Sequence, residues 1–342
     1  MPRDDRFVAL ATRIRLGMLR IMLRLAVGLV LVGTLTVAEV MAQQPRRIYR
    51  IGVVNDAWAV NHPTVEGLKA GLWSLGLLEG RDVNFDIRFT EGKPMALPVA
   101  IGLLVEAKVD LLFTSNEAAT RAAQAATRKI PIVFTLVGDP VTAGIVKELA
   151  HPGGNLTGVS SRSTQLVGKR LQILKTLVPV VRRIRAIYYA GDLSSRAAVA
   201  AAEAVAPQLG LTLVARPIKS PGELEVALRE IERGDGLLSP DVAALDIPAA
   251  ILETALTQRV PAVFPSSLWV KHGGLVSYGP DYRAQGAQAA RLVAKILQGT
   301  HPANLPVEGA DKIDLAINVK TTASLGVIVP RKLRLRADLL HQ

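Results

Sequence analysis

From Arg47 onward the chain switches repeatedly between two hydrophobic periods, and this alternation limits its fold more than any other feature. The run "RIYRIGVVN" (Arg47 to Asn55) reads as a strand, and "HPTVEGLKAGLWSLG" then repeats apolar residues at helical spacing, with Pro63 in its first turn. The segments "RDVNFDIRFTEG", "VDLLFTSN" and "IPIVFTLVG" predict further strands, separated by the helical "MALPVAIGLLVEAK" and "EAATRAAQAATRK". A second series begins after residue 160: "TQLVGKRLQILKTLV" predicts a helix, "IRAIYYA" a strand, and the same alternation runs on to "VPAVFPSS". Continuous apolar strands with helices between them imply parallel sheets covered on both faces. The two halves share a plan but no residue-level repeat, so the expectation is an α/β protein of two halves alike in architecture only.

The first 42 residues stand outside this pattern. Arg3, Arg6, Arg13, Arg15, Arg20 and Arg24 precede "LAVGLVLVGTLTV", an uncharged run from Leu25 to Val37. That run is short for a membrane span, and "VMA" (Val40 to Ala42) offers small residues where a signal peptidase needs them, so residues 1–42 read as a signal peptide with cleavage near Gln43. An uncleaved anchor is the alternative. The chain has no cysteine, which excludes a lipid-modified N-terminus, disulfides, thiol nucleophiles and thiolate metal sites together. The leader accounts for +3 of the formal +12, leaving +9 on the mature chain. With aromatics at only 4% and the basic residues scattered, apart from "PRKLRLR" near the C-terminus, this charge reads as solubility; no nucleic-acid partner is expected.

The segment "GDPVTAGIVKELAHPGGNLTGVS" (residues 138–160) carries the densest glycine punctuation. Asp139 and Pro140 predict a helix start, and "HPGG" predicts its end. A phosphate cradle would need G-x-G-x-x-G or G-x-x-x-x-G-K-[ST] between strand and helix, and neither is present. The glycines therefore read as backbone punctuation where the chain leaves one half for the other.

This segment, followed by "KRLQILKTLVP", "GGLVSYGPDY", "AARLVAKILQGTHPANLPVE", "AIN" and "ASLGVIVP", resembles the ABC-transporter substrate-binding proteins related to the tryptophan-binding lipoproteins, over about residues 48 to 340. The resemblance implies a type I periplasmic binding protein: two Rossmann-like α/β lobes with parallel sheets, joined by three crossovers and closing on a small ligand. It places the N-terminal lobe at residues 43–158 plus 281–302 and the C-terminal lobe at 159–280 plus 303–342. It further implies a soluble periplasmic monomer that delivers an amino-acid-like or carboxylate ligand to a membrane permease and its ATPase, with no cofactor. The missing lipobox cysteine departs from many relatives.

Strand order points independently to where a ligand would sit, beyond the carboxyl ends of the strands. The loops there nominate Asn55, Asp56 and Trp58, then Ser115 and Asn116, then Asp139 and Ser160 in the first half. In the second half they nominate Tyr189, Ser194, Asp241, Ser266 and Asp281. Each has a structural reading too: Ser115, Asn116, Ser194 and Ser195 as helix caps, and Asp56, Asp241 and Asp281 as turn residues. Helix-start N–H groups near Ser115 and Asn116 suit a ligand carboxylate, an acid suits its amine, and Trp58 suits a ring. Trp73 is expected in the core and Trp269 at the cleft edge. His62 and Glu66 share a helix face, a spacing more typical of a surface contact than of a metal site. No H-E-x-x-H, G-x-S-x-G or S-x-x-K occurs, so binding is favoured over catalysis. A sensory module for a signalling partner and an enzyme on the same fold remain the rival readings.

Overall fold

The computed structural model describes Met18, Met22 and residues 47–55, 62–240 and 247–342. The rest of the leader, its cleavage point, and Asp56, Trp58 and Asp241 lie outside the described residues.

β1 (Tyr49–Asn55), β2 (Val83–Phe89), β3 (Leu111–Ser115), β4 (Ile132–Val137) and β5 (Leu156–Ser160) form the first sheet. The chain then crosses to β6 (Arg183–Tyr189), β7 (Thr212–Ile218), β8 (Asp235–Leu238), β9 (Ala262–Phe264) and β10 (Val276–Pro280) in a second sheet. It crosses back for the helix Tyr282–Leu297, which packs on the helix Pro63–Ser74, and for the short β11 (Glu308–Gly309). A last crossing leads to β12 (Ile313–Asn318) and β13 (Leu339–His341) in the second sheet. The orders are β11-β5-β4-β3-β1-β2 and β13-β12-β10-β9-β8-β6-β7. Within them β2-β1-β3-β4-β5 and β7-β6-β8-β9-β10 are the same doubly wound pattern. The expected architecture of two α/β lobes with three crossovers is thus present, and among the described residues the one antiparallel pairing of strands is β10 with β12.

The apolar runs are strands because both of their faces are buried. Leu111 and Phe113 pack into one apolar cluster and Leu112 into another, on opposite sides of the same strand. Sheet membership moves the lobe boundaries slightly: Glu308 and Gly309 pair with Val159 and Ser160, so the first sheet keeps β5 to its end and releases the chain for the last time after Gly309.

Local expectations fail in three places. Residues after Pro140 make one hydrogen-bonded turn and no regular helix, because Gly144 enters the left-handed region at φ +65°. The later glycines do act as punctuation, with Gly153 at φ +73° and Gly154 at φ +63°. Trp73 is 69% exposed, since it lies on the outer side of the Pro63–Ser74 helix while Leu68 and Leu72 fill the inner side. Trp269 instead packs on the second-lobe core, its ring stacked on Phe264 at a centroid separation of 6.2 Å.

Candidate functional site

The carboxyl ends of β1, β3 and β4 lie side by side, with Asn55 opposite Ser115 and Ser115 opposite Thr135. All three are buried polar residues at a position where a strand core would ordinarily be apolar. Asn116 follows at φ +98° and caps the helix Glu117–Ala126, its Oδ1 accepting from the Ala119 N–H at 2.9 Å. The Ser115 and Thr64 hydroxyls are 3.2 Å apart, and Thr64 Oγ1 lies 2.8 Å from His62 Nδ1. His62 caps the Pro63–Ser74 helix and stacks on Tyr282, with ring centroids 6.0 Å apart. Burial pushes its imidazole down to about pKa 4, so the ring is neutral and accepts from the Thr64 N–H. Sequence reading saw His62 only beside Glu66, which is exposed; its position at the first helix start was the available signal. Among the described residues no group of three or more metal-ligating side chains converges.

The second lobe faces this edge with the helix Leu193–Val205. Its cap is Asp192, whose carboxylate accepts from the Ser195 N–H at 2.6 Å. Ser194 and Ser195 are therefore inside the helix, and not its caps. The Leu193 and Ser194 N–H groups donate to a residue of the first lobe: Glu117, at 3.1 and 2.9 Å. Glu117 is 1% exposed, and Arg121 Nε donates to the same carboxylate at 2.9 Å. Beside this contact the Asp139 N–H donates to Ser194 Oγ at 3.2 Å, joining two of the nominated residues across the lobes. A groove of about 440 Å³ flanks it, lined by Thr142 on one side and Tyr188, Leu193, Arg196 and Glu203 on the other.

The other nominated residues hold local structure. The Asp139 carboxylate accepts from the Thr142 N–H and hydroxyl at 3.0 and 2.8 Å. Ser160 Oγ donates to the Val137 carbonyl at 3.0 Å and accepts from the Arg162 N–H at 3.1 Å, locking the first crossover. Tyr189 ends β6, half-buried, and Ser266 caps the short helix Ser267–Lys271. Asp281 caps the Tyr282–Leu297 helix through the Arg283 and Ala284 N–H groups and pairs with Lys312 Nζ at 2.7 Å. It thereby ties the second crossover to the third. Burial works to raise its pKa, but the Lys312 hydrogen bond, the helix N–H groups and the lysine's charge together hold it below the usual carboxylate range.

The buried polar strand ends thus lie beside an interlobe contact, which is a geometry for holding a small polar molecule between lobes. The comparisons agree with it. The family model described as ABC transporter substrate binding protein matches residues 54–340. A tyrosine-binding protein of Clostridioides difficile is 28% identical over 272 residues, covering 78% of each chain. A Streptococcus pneumoniae ABC domain solved in complex with L-Trp superposes with a TM-score of 0.77 at 25% identity, covering 86% of this chain and 100% of that one. A ligand-free, open substrate-binding protein from Clostridium difficile, also 25% identical, gives 0.62 over 86% of this chain and 99% of that one.

Proposed function

The chain belongs to the family of ABC transporter substrate-binding proteins, and from that premise we propose that it is the periplasmic capture component of an importer for an amino-acid-like ligand, aromatic side chains included. Its work is binding and domain closure, with no chemical step. One observation carries the reading: Asn55, Ser115 and Thr135 are buried polar residues side by side at the ends of β1, β3 and β4, next to the place where Glu117 meets the second lobe, as a cleft that holds a small polar ligand requires. The relatives that bind tyrosine and tryptophan narrow the class. Export follows from the Arg-rich leader and "VMA", and the closed form would dock on a permease with its ATPase in the inner membrane. Mass spectrometry of the periplasmic protein is expected to find its N-terminus near Gln43; an intact leader in the membrane fraction would mean an anchor.

Thermal-shift screening against L-Trp, L-Tyr, L-Phe, short carboxylates and sugars tests the ligand class. A ligand at 100 times its Kd adds about 2.7 kcal/mol of stability, easily seen as a rise in Tm. The expected result is stabilisation by one or more aromatic amino acids. Stabilisation by sugars alone would overturn the proposal.

A further inference from the structure

We infer that Glu117 is a built-in carboxylate that clasps the two lobes shut by filling an anion site on the second lobe. The first turn of the Leu193–Val205 helix has its donors divided between two acids. Asp192 takes the Ser195 N–H from within the same lobe, while Glu117 takes the Leu193 and Ser194 N–H groups from the other. A helix start holds a partial positive charge and unsatisfied N–H groups, so a carboxylate there is bound by both. Glu117 is positioned for the task. It is the first residue of its own helix, Arg121 one turn on orients its carboxylate, and Arg121 in turn donates to the Ala143 carbonyl. Asp139 and Ser194 add a second bond, and a Cβ on Gly138 would come 3.0 Å from Ser194 Cβ, so the backbones meet here closely.

Two consequences follow. When the lobes separate, these N–H groups and the carboxylate exchange each other for water, so the clasp shifts the balance of closed and open forms without any ligand contact. With Glu117 seated there, a ligand's carboxylate must be held elsewhere, and the second-lobe helix start does not serve it. Glu117 is therefore a residue that determines specificity, a point that rests on the amino-acid reading above. The clasp itself does not rest on it and is tested without ligand.

The absence of cysteine allows a clean distance measurement. Glu106→Cys and Glu225→Cys place one nitroxide on an exposed position in each lobe, and pulsed dipolar spectroscopy on the mature chain reads the closed and open populations. Glu117→Ala should lower the closed-to-open ratio by about tenfold or more, the order expected for losing charge-assisted bonds. Acetate or formate at 100 mM should restore the closed population by occupying the vacated N–H groups, whereas methylammonium should not. Leu193→Pro is the complementary variant. Proline is tolerated at a first helical position and removes only the N–H, and the extended backbone of Asp192, at φ −95° and ψ 110°, suits a following proline. It should also open the lobes, and the double variant should open them by less than the two single effects multiplied together. Circular dichroism on each variant confirms the fold. Parental distance distributions in both single variants, or opening in Glu117→Ala that neither acid reverses, would overturn the clasp. An intact clasp with no thermal shift from any amino acid would instead overturn the ligand class alone.

Discussion

Glu117 and Asp281 are both carboxylates seated on first-turn N–H groups, but Glu117 sits on a helix of the other lobe, 76 and 77 residues away, whereas Asp281 caps the helix that follows it. Their settings differ accordingly. Glu117 is shielded from solvent, and its bonds to the Leu193 and Ser194 N–H groups exist only while the lobes are together. Asp281 lies at a crossover, and its ion pair with Lys312, a side chain 57% exposed, joins two strands of the hinge. Such a contact, within the hinge, is expected to persist whether the lobes open or close. One chemical arrangement thus serves as a clasp where it spans lobes and as a strut where it stays local, and the pair predicts that damage at the hinge lowers stability while damage at the clasp changes shape.

The strongest test of that division is Gly279, in β10 at the second crossover. An added Cβ would lie 1.8 Å from the Pro265 carbonyl oxygen, and backbone cannot yield as a flexible side chain can. Gly279→Val is expected to destabilise by about 3 kcal/mol or more, through overpacking at a site with no room. Chemical denaturation measures it directly. A variant of parental stability that merely opened the lobes would show that the hinge and the clasp are not separate, and the comparison would break.

A second effect, on the order of 2 kcal/mol, is read from pH. His62 stacks on Tyr282, the residue after Asp281, and its pKa falls from 6.5 to about 4 because burial disfavours the imidazolium. Between those values the unfolded chain binds a proton that the folded chain refuses, so stability rises with pH through the window and is fully present above about 6.5. At pH 5 the loss attributable to this one ring is on the order of 2 kcal/mol. His62→Gln should flatten that part of the stability profile while keeping an acceptor for the Thr64 N–H. A profile of unchanged slope would mean the ring is hydrated and titrates normally.

The fold was legible because parallel strands buried on both faces must be apolar throughout, and "VDLLFTSN" and "IPIVFTLVG" could be little else. The polar strand ends were legible for the same reason: Ser115 and Asn116 interrupt an apolar run where a sheet ends. Glu117 was not. Nothing local distinguishes it from a first-turn acid that serves its own helix, and its partners lie across a lobe boundary. The turn after Pro140 misled in the opposite way, since an amphipathic pattern and an N-cap promised a helix that Gly144 stops after one turn. His62, Thr64 and Tyr282 became a group only through the packing of the helices Pro63–Ser74 and Tyr282–Leu297, whose residues are more than 200 positions apart in the chain.

The smallest effect sharpens the comparison most, because it isolates the strut from the cap. Asp281→Asn keeps a side-chain oxygen for the Arg283 and Ala284 N–H groups and removes the charge that faces Lys312. Since Lys312 is largely in solvent, the ion pair contributes only about 0.5 kcal/mol, whereas Asp281→Ala also loses the cap and should cost about 1 kcal/mol more. The folded pKa of Asp281 is depressed, so the ionic contribution is present above the ordinary aspartate range and disappears as pH falls through the depressed value. The difference between the parent and Asp281→Asn should therefore vanish in acid, while the difference between Asn and Ala should remain. In neither variant should the interlobe distances move, because the contacts of Asp281 lie within the hinge and span no interlobe gap. Opening of the lobes in Asp281→Asn at parental stability would assign Asp281 to the clasp, and the hinge would have to be sought elsewhere.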